Sequence, residues 1–339
     1  MVWLKFALCL VIILFAGTRL ARYGDAIAEK TGLGRIWIGL VLLAVITSVP
    51  ELVTGVSSVA LVKLPDLALG DLLGSCIFNL AILALLDILY RPGPILSQAS
   101  SRHMMSASIG ILLTAVAAGG ILAWGRFPGL ALGWVSIPSI IIPSLYLAGI
   151  WWIFRSERAH RLPPIPTVSL RYKELPTRTV YIRFALATVA VIGAGIWLSF
   201  IGGEIVGTYG WHASFVGSLF LAITTSVPEL VVTIAALRLG AIDMAVADIL
   251  GSNMFNIAII TPVDIFYRRG PVLSLVSGAH LITAVVAIVM SLLVIVGLRF
   301  RQKRKTFGFI SWYTPVLIGL YILGMFGMRY PFIFGIGLG

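Results

Sequence analysis

The chain has 339 residues, of which 59% are apolar and only 11% are charged. A single soluble core of this size cannot hide that much apolar surface, so we expect most of it to face lipid. The apolar runs are about 18 to 28 residues long, which suits helices and exceeds the length of a tilted barrel strand. The net charge of +12 does not indicate nucleic-acid binding, because the basic residues fall in short clusters between apolar runs.

Ten apolar segments predict an all-α polytopic membrane protein with ten transmembrane helices. The first segment, Met1–Gly17, is similar to a signal sequence, but no small-x-small cleavage site follows it, so we interpret it as a spanning helix. The predicted spans are residues 2–19, 34–62, 66–90, 104–124, 129–154, 179–201, 211–238, 242–267, 278–299 and 309–328.

The basic residues predict that both termini lie outside. With that orientation, 19 of the 25 Lys and Arg residues fall on the inner side, including the cluster from Arg155 to Arg183. The polar, proline-rich stretch 156–178 is then a cytoplasmic linker. It separates two five-helix halves, residues 1–155 and 179–339.

The two halves contain an internal repeat. Gly39–Glu51 and Gly217–Glu229 match almost residue for residue, and both end in Thr-Ser-Val-Pro-Glu. The match continues through Asp71–Asn79 and Asp248–Asn256, which indicates duplication. Because five helices precede the second copy, equivalent segments are predicted to cross the membrane in opposite directions, as in secondary transporters whose site lies where inverted repeats meet. The α-repeats cover about residues 36–91 and 214–268.

Glu51 and Glu229 each lie midway along an apolar segment. An ionised carboxylate at the centre of a membrane costs roughly 2.5 kcal/mol or more, so something must compensate its charge. A bound cation is the functional interpretation. The structural alternative is a hydrogen-bonded or protonated carboxyl group that holds helices together.

A proline precedes each glutamate. Pro50 and Pro228 have no N–H to donate and clash with the preceding turn, which frees backbone carbonyls near the carboxylates. The predicted carbonyl ligands lie from Ala44 to Thr47 and from Ala222 to Thr225, and hydroxyls adjoin them at Thr47, Ser48, Thr225 and Ser226. A proline kink alone is common in membrane helices, but beside a buried glutamate and hydroxyls it is much more specific.

Serine and asparagine recur four residues apart in the next helix of each repeat. Ser75 with Asn79, and Ser252 with Asn256, place a hydroxyl and an amide oxygen on one helical face. Each helix therefore offers two neutral ligands. Close packing of helices through these small residues is the alternative for the serines, and it can coexist with ligation.

These groups are hard oxygen donors without a His or Cys cluster, which suits Ca²⁺ better than zinc or copper. Two carboxylates balance one divalent or two monovalent cations, as an exchanger requires. We expect no resident cofactor, inorganic cations and lipid as the partners, and Na⁺ or H⁺ as the counter-ion. Enzyme activity is not expected, since no His, Cys-His pair or Ser-Lys dyad accompanies the buried carboxylates.

Three further pairs of aspartates repeat. Asp71 and Asp248 lie one turn before the serines. Their position is consistent with additional ligands, proton acceptors or vestibule charges, and the alternative is a polar group near the end of its helix. The other pairs are predicted to cap helices or to form interfacial ion pairs: Asp66 and Asp243 as N-caps, and Asp87 and Asp264 with Arg91 and Arg268.

The paired motifs resemble the α-repeats of the sodium/calcium exchanger family, within the calcium:cation antiporter superfamily, in a prokaryotic-type form without a large regulatory loop. The motifs are Thr47–Glu51 with Gly74–Asn79, and Thr225–Glu229 with Gly251–Asn256. The resemblance implies eight core helices, a first and a sixth helix that slide across them for alternating access, and a prokaryotic inner membrane. The ligands it implies are Glu51, Glu229, Thr47, Ser48, Ser75, Thr225, Ser226, Ser252 and the carbonyls of Ala44 and Ala222.

The sequence departs from the family's sodium/calcium form at four positions. Asn256 stands where the second repeat carries an Asp, and Asp71 and Asp248 stand where Asn is usual. Cys76 replaces the Asn of Gly-Ser-Asn in the first repeat. The missing acidic ligand at position 256 makes proton exchange an alternative to sodium exchange.

The prediction is a secondary active antiporter that moves Ca²⁺ in exchange for Na⁺ by alternating access, with Glu51 and Glu229 at a midplane site. One alternative is an exchanger of Ca²⁺ or another divalent cation for H⁺. An alternative of another class is a cation channel or a non-transporting intramembrane cation-binding protein.

Overall fold

The computed structural model describes residues 1–31, 43–124, 131–159 and 175–334. Its helices in chain order are α1 (Val2–Thr31), α2 (Leu43–Thr47), α3 (Val49–Ala60), α4 (Pro65–Leu89), α5 (Ile95–Gln98), α6 (His103–Trp124), α7 (Ile137–Ala159), α8 (Thr177–Tyr209), α9 (Ala213–Val216), α10 (Ala222–Thr225), α11 (Val227–Arg238), α12 (Ile242–Ala258), α13 (Ile260–Phe266), α14 (Val272–Leu275), α15 (His280–Arg299) and α16 (Tyr313–Arg329). A π-helical turn, Gly217–Leu221, joins α9 to α10, and a 3₁₀ turn, Pro331–Phe334, follows α16.

The chain is a multi-pass membrane protein. Seven described helices are long and apolar enough to cross a membrane, and the bent pair Ala213–Thr225 and Val227–Arg238 raises the number to eight. Two shorter apolar helices, α3 and α16, lie within the predicted second and tenth spans. The start of the second span, residues 34–42, lies outside the described residues, so the count of ten stays a prediction.

Several helix boundaries differ from the prediction. Helix α1 continues to Thr31 and α8 runs from Thr177 to Tyr209, because a helix need not end where its apolar stretch ends. The fifth predicted span begins later, at Ile137. Strands β1 (Ala131–Leu132) and β2 (Val135–Ser136) precede it as an antiparallel hairpin, with Gly133 at a φ of +67° in the turn. The all-helical prediction missed this hairpin.

Two helices are broken at equivalent serines. Ser48 separates α2 from α3 and Ser226 separates α10 from α11, with φ of −88° at both residues. Pro50 and Pro228 lie in the first turn after each break. Since proline has no N–H, the carbonyl four residues earlier receives no helical hydrogen bond, and the second pair bends by 42°.

Helix α4 and the segment formed by α12 and α13 lie at the centre of the molecule, with 72% and 67% of their most apolar stretches buried. They form the main apolar core together with α6, α15 and α16. Helices α1 and α8 pack along each other and form separate apolar clusters. This pair lies against α3 and α11, the helices that carry the two glutamates.

Small residues allow the backbones of the two repeats to touch. A Cβ atom on Gly74 would lie 2.6 Å from Ser218 Cα, and one on Gly70 would lie 2.6 Å from the Ser214 carbonyl oxygen. No side chain fits at either glycine without a shift of backbone. The close packing considered for Gly74-Ser75 is therefore present, and it holds Ser75 against the chain around α10.

The N-cap prediction for Asp66 and Asp243 is wrong. Both lie inside the first turn of their helices, whose N-cap positions are Leu64 and Ala241. Each carboxylate instead bonds a distant loop of the other half. Asp66 accepts hydrogen bonds from Ser277 N (2.7 Å) and His280 Nε2 (2.9 Å), and Asp243 accepts them from Ser100 N (2.6 Å) and His103 Nε2 (2.9 Å).

The predicted ion pairs of Asp87 with Arg91 and of Asp264 with Arg268 are also wrong. Both aspartates are fully buried and accept hydrogen bonds from backbone N–H groups and hydroxyls, whereas Arg91 and Arg268 are exposed. The donors to Asp87 are Ile95 N, Ser311 N, Ser311 Oγ, Tyr313 OH and Thr314 Oγ1, and those to Asp264 are Val272 N, Ser136 N and Ser136 Oγ.

One charged side chain does approach Asp87. Lys305, in the loop before α16, places its Nζ 3.8 Å from Asp87 Oδ2. Burial lowers the pKa of Lys305, and the Asp87 carboxylate opposes that shift.

Candidate cation site

A pair of reciprocal hydrogen bonds connects each glutamate with the serine at the helix break of the other repeat. Ser48 Oγ donates to Glu229 Oε1 at 2.9 Å, and Ser226 Oγ donates to Glu51 Oε1 at 2.9 Å. Each serine lies at the break of its own helix, where the backbone turns its hydroxyl towards the other repeat. The four side chains are fully buried, and Glu51 Oε2 and Glu229 Oε2 have no hydrogen-bond partner.

Two further pairs of hydroxyls are in contact across the repeats. Thr47 Oγ1 lies 3.4 Å from Ser252 Oγ, and Thr225 Oγ1 lies 3.4 Å from Ser75 Oγ. The two contacts are equivalent in the two repeats. Each of the six hydroxyls that the sequence indicated as ligands therefore contacts a group of the other repeat.

The carbonyls of Ala44 and Ala222 are hydrogen-bonded in this structure. The Ala44 oxygen accepts Ser48 N at 3.2 Å and is 3.2 Å from Thr47 Oγ1. The Ala222 oxygen accepts Ser226 N at 3.1 Å and is 3.3 Å from Thr225 Oγ1. An ion bound by these oxygens must share them with, or displace, the threonine hydroxyls.

The two predicted asparagines differ in their surroundings. Asn79 Nδ2 donates to Asn253 Oδ1 at 3.1 Å, which leaves Asn79 Oδ1 without a partner. Both polar atoms of Asn256 are buried without a partner. Sequence reasoning missed Asn253, although a third amide in an apolar helix, at the position equivalent to Cys76, was the available signal.

Asp71 and Asp248 also lie in this region, and both are fully buried. Thr225 Oγ1 donates to Asp71 Oδ1 at 3.0 Å, while Asp71 Oδ2 and both oxygens of Asp248 have no partner. The donor of Asp71 is thus a hydroxyl of the predicted ligand set.

The charge of this region is not compensated by protein cations. Four carboxyl groups are buried, and no described Lys, Arg or His side chain forms an ion pair with any of them. Nor do the described residues contain a group of three or more His, Cys, Asp or Glu side chains placed to hold a metal ion together. Most of the candidate ligands are neutral oxygens, which favours a hard cation over one that prefers nitrogen or sulfur.

A multi-pass helical fold with buried oxygen ligands between paired broken helices is an arrangement typical of membrane transporters. The chain belongs to the sodium/calcium exchanger protein family, whose pattern matches residues 1–155 and 179–329. The family and the fold are those of cation antiporters, which are not enzymes.

Several relatives match most of the chain in sequence, including the two that follow. The inner membrane protein YrbG of Escherichia coli strain K12 is 27% identical over 298 residues, which cover 84% of this chain and 86% of YrbG. The putative antiporter CaxA of Alkalimonas amylolytica is 23% identical over 273 residues, which cover 79% of this chain and 82% of CaxA.

Two solved structures share the fold. Native YfkE gives a TM-score of 0.66 at 20% identity, over 96% of this chain and 91% of YfkE. The sodium-calcium exchanger NCX_Mj, soaked with 10 mM Na⁺ and 10 mM Sr²⁺, gives a TM-score of 0.63 at 19% identity, over 97% of this chain and 100% of that chain.

Proposed function

We propose that the chain is a secondary active antiporter that exchanges Ca²⁺ for Na⁺ by alternating access, and that Glu51 and Glu229 are the charged ligands of the transported ion. The observation that carries this proposal is the reciprocal pair of serine–glutamate hydrogen bonds. It brings one carboxylate from each repeat to the same buried place and leaves one oxygen of each without a partner.

The remaining proposed ligands are oxygen-bearing groups of the same two repeats. Thr47, Ser48, Ser75, Thr225, Ser226 and Ser252 supply hydroxyls, Asn79 and Asn256 supply amide oxygens, and Ala44 and Ala222 supply carbonyls. Ca²⁺ binds six to eight oxygens in a flexible arrangement. The proposed set offers more oxygens than that, so not every group has to bind the ion at the same time.

Exchange, rather than free movement, follows from the cost of the empty site. Two buried carboxylates without a counter-charge are unfavourable by several kcal/mol, so the protein does not readily reorient until another cation or protons replace Ca²⁺. The pair α1 and α8, which packs against both glutamate helices, is the element expected to slide during this change.

Protons are the second candidate for the counter-ion. Asn256 supplies no charge where the family's sodium/calcium form has an acidic ligand, and Asp71 and Asp248 add two buried carboxyl groups with three unpartnered oxygens. These two aspartates are proposed as accessory ligands or proton-coupling groups.

Flux measurements separate these functions. Protein reconstituted in vesicles is given an outward Na⁺ gradient at uniform pH, or a pH gradient in sodium-free buffer, and uptake of ⁴⁵Ca²⁺ is followed. Na⁺/Ca²⁺ exchange predicts uptake only under the first gradient, and proton exchange predicts uptake under the second. If neither gradient drives saturable uptake, antiport is contradicted. Non-saturable Ca²⁺ flux in the absence of both gradients supports a channel.

A further inference from the structure

Residues 76 and 253 occupy equivalent positions in the two repeats, and they meet where α4 contacts α12. Asn253 Nδ2 donates to the Cys76 carbonyl at 3.0 Å, and Cys76 Sγ donates to the Asn253 carbonyl at 3.7 Å. In both contacts the acceptor is the backbone carbonyl of the equivalent residue in the other repeat. They differ in the side chains, because one is an amide and the other is a thiol.

This difference decides how the two asparagine ligands are held. The side-chain carbonyl of Asn253 accepts the amide of Asn79, which fixes Asn79 with its Oδ1 free. The equivalent partner of Asn256 would be a side-chain carbonyl at position 76, and cysteine has none. Both polar atoms of the fully buried Asn256 accordingly remain without a partner.

We propose that Cys76 is a positioning residue that leaves the amide of Asn256 free to turn, while Asn79 is a fixed ligand. Asn256 then presents Oδ1 to a bound cation and can turn Nδ2 towards carboxylate oxygens when the cation leaves. This inference rests on the proposed function, in which Asn256 is a ligand. It makes the site asymmetric although its glutamates, serines and threonines are symmetric.

The physical consequence concerns affinity and release. A ligand held in its binding orientation loses no rotational freedom when the ion binds, whereas a free side chain loses some of it. If a side-chain carbonyl at position 76 held the Asn256 amide in place, the site should therefore bind the cation more tightly and release it more slowly. A small cavity of about 10 Å³ adjoins Cys76 and Asn253.

The test exchanges the two side chains. Cys76→Asn supplies the missing carbonyl, and the half-saturating Ca²⁺ concentration for exchange should fall about threefold while turnover slows. Asn253→Cys frees Asn79 and should raise that concentration about threefold. The double variant moves the free amide to the other repeat and should return the half-saturating concentration to the wild-type value. Cys9→Ala, at a buried thiol that contacts the Ala194 carbonyl in α8, is the control and should leave it unchanged.

Thermal unfolding without Ca²⁺ provides a readout that does not depend on transport. Cys76→Asn gives a buried amide its partner and should raise the unfolding midpoint by about 2 °C, whereas Cys76→Ala should not raise it. The inference is overturned if Cys76→Asn changes neither the midpoint nor the half-saturating concentration. It is also overturned if the double variant has a higher half-saturating Ca²⁺ concentration than both single variants. Normal flux in Glu51→Gln would instead reject the proposed function, and the unfolding midpoints would still decide the inference.

Discussion

At the scale of single residues, the site depends on short polar side chains placed at helix breaks. Ser48 and Ser226 follow the last turn of one helix and precede the prolines of the next, so their hydroxyls point away from the helix axis towards the opposite glutamate. A hydrogen bond to a charged group contributes about 1.5–3 kcal/mol, which is enough to fix both carboxylates.

The two serines should therefore be equivalent in function. Ser48→Ala and Ser226→Ala each remove one donor and one candidate ligand, and each should raise the half-saturating Ca²⁺ concentration about tenfold or more. The measurement is initial Ca²⁺ uptake in vesicles at varied Ca²⁺. Ser108→Ala is the control, because this exposed hydroxyl bonds only the carbonyl of its own helix. A large effect from one serine and none from the other contradicts the paired arrangement.

At the scale of helices, the position of the site depends on the close contact of α4 with the π-helical turn and α10. Gly74 lies at that contact, where an added Cβ meets backbone atoms of Ser218. Overpacking of this kind typically costs about 1–3 kcal/mol.

Gly74→Ala should accordingly lower the midpoint of thermal unfolding of the purified protein and reduce Ca²⁺ uptake. Gly193→Ala, in α8, is the matched change, because nothing lies within 4 Å of the added Cβ. It should leave the midpoint unchanged or raise it, since alanine stabilises a helix by about 0.5–1 kcal/mol over glycine. Equal effects of the two variants would contradict the importance of this contact.

The candidate ligands could be predicted from the sequence, but the hydrogen-bond partners of several polar residues could not. Glu51, Glu229 and their hydroxyls could be predicted because each repeat carries them at fixed spacing beside a proline. The roles of Asp66 and Asp87 could not, since donors such as Ser277 and Ser311 lie more than 200 positions away and meet these aspartates only in the folded protein. The Asn79–Asn253 hydrogen bond could not be predicted either, because it joins different helices that meet only in the folded protein.

At the scale of the whole molecule, aspartates connect the two halves at several points, from the fully buried Asp87 and Asp264 to the exposed Asp243. The His280–Asp66 and His103–Asp243 contacts are equivalent, and each connects a helix start in one half with a helix start in the other. These contacts leave α1 and α8 uninvolved, which is compatible with movement of that pair against a fixed core.

The predicted orientation can be tested on exposed loop positions. Arg269→Cys should react with a membrane-impermeant maleimide in intact cells, because this residue is predicted outside. Lys303→Cys should react only after permeabilisation, because it is predicted inside. The native Cys9 and Cys76 are buried and should contribute little background. The reverse labelling pattern would contradict the outside location of both termini.

The central claim is that a glutamate from each repeat binds the transported cation, and Ca²⁺ uptake in vesicles tests it most directly. Glu51→Gln and Glu229→Gln preserve side-chain size and should each abolish counter-ion-driven uptake, since either change removes one of the two charges that balance Ca²⁺. Glu204→Gln is the control, because this exposed glutamate pairs with Lys5 and should not affect uptake. Uptake at the wild-type rate in either Glu51→Gln or Glu229→Gln would contradict the claim.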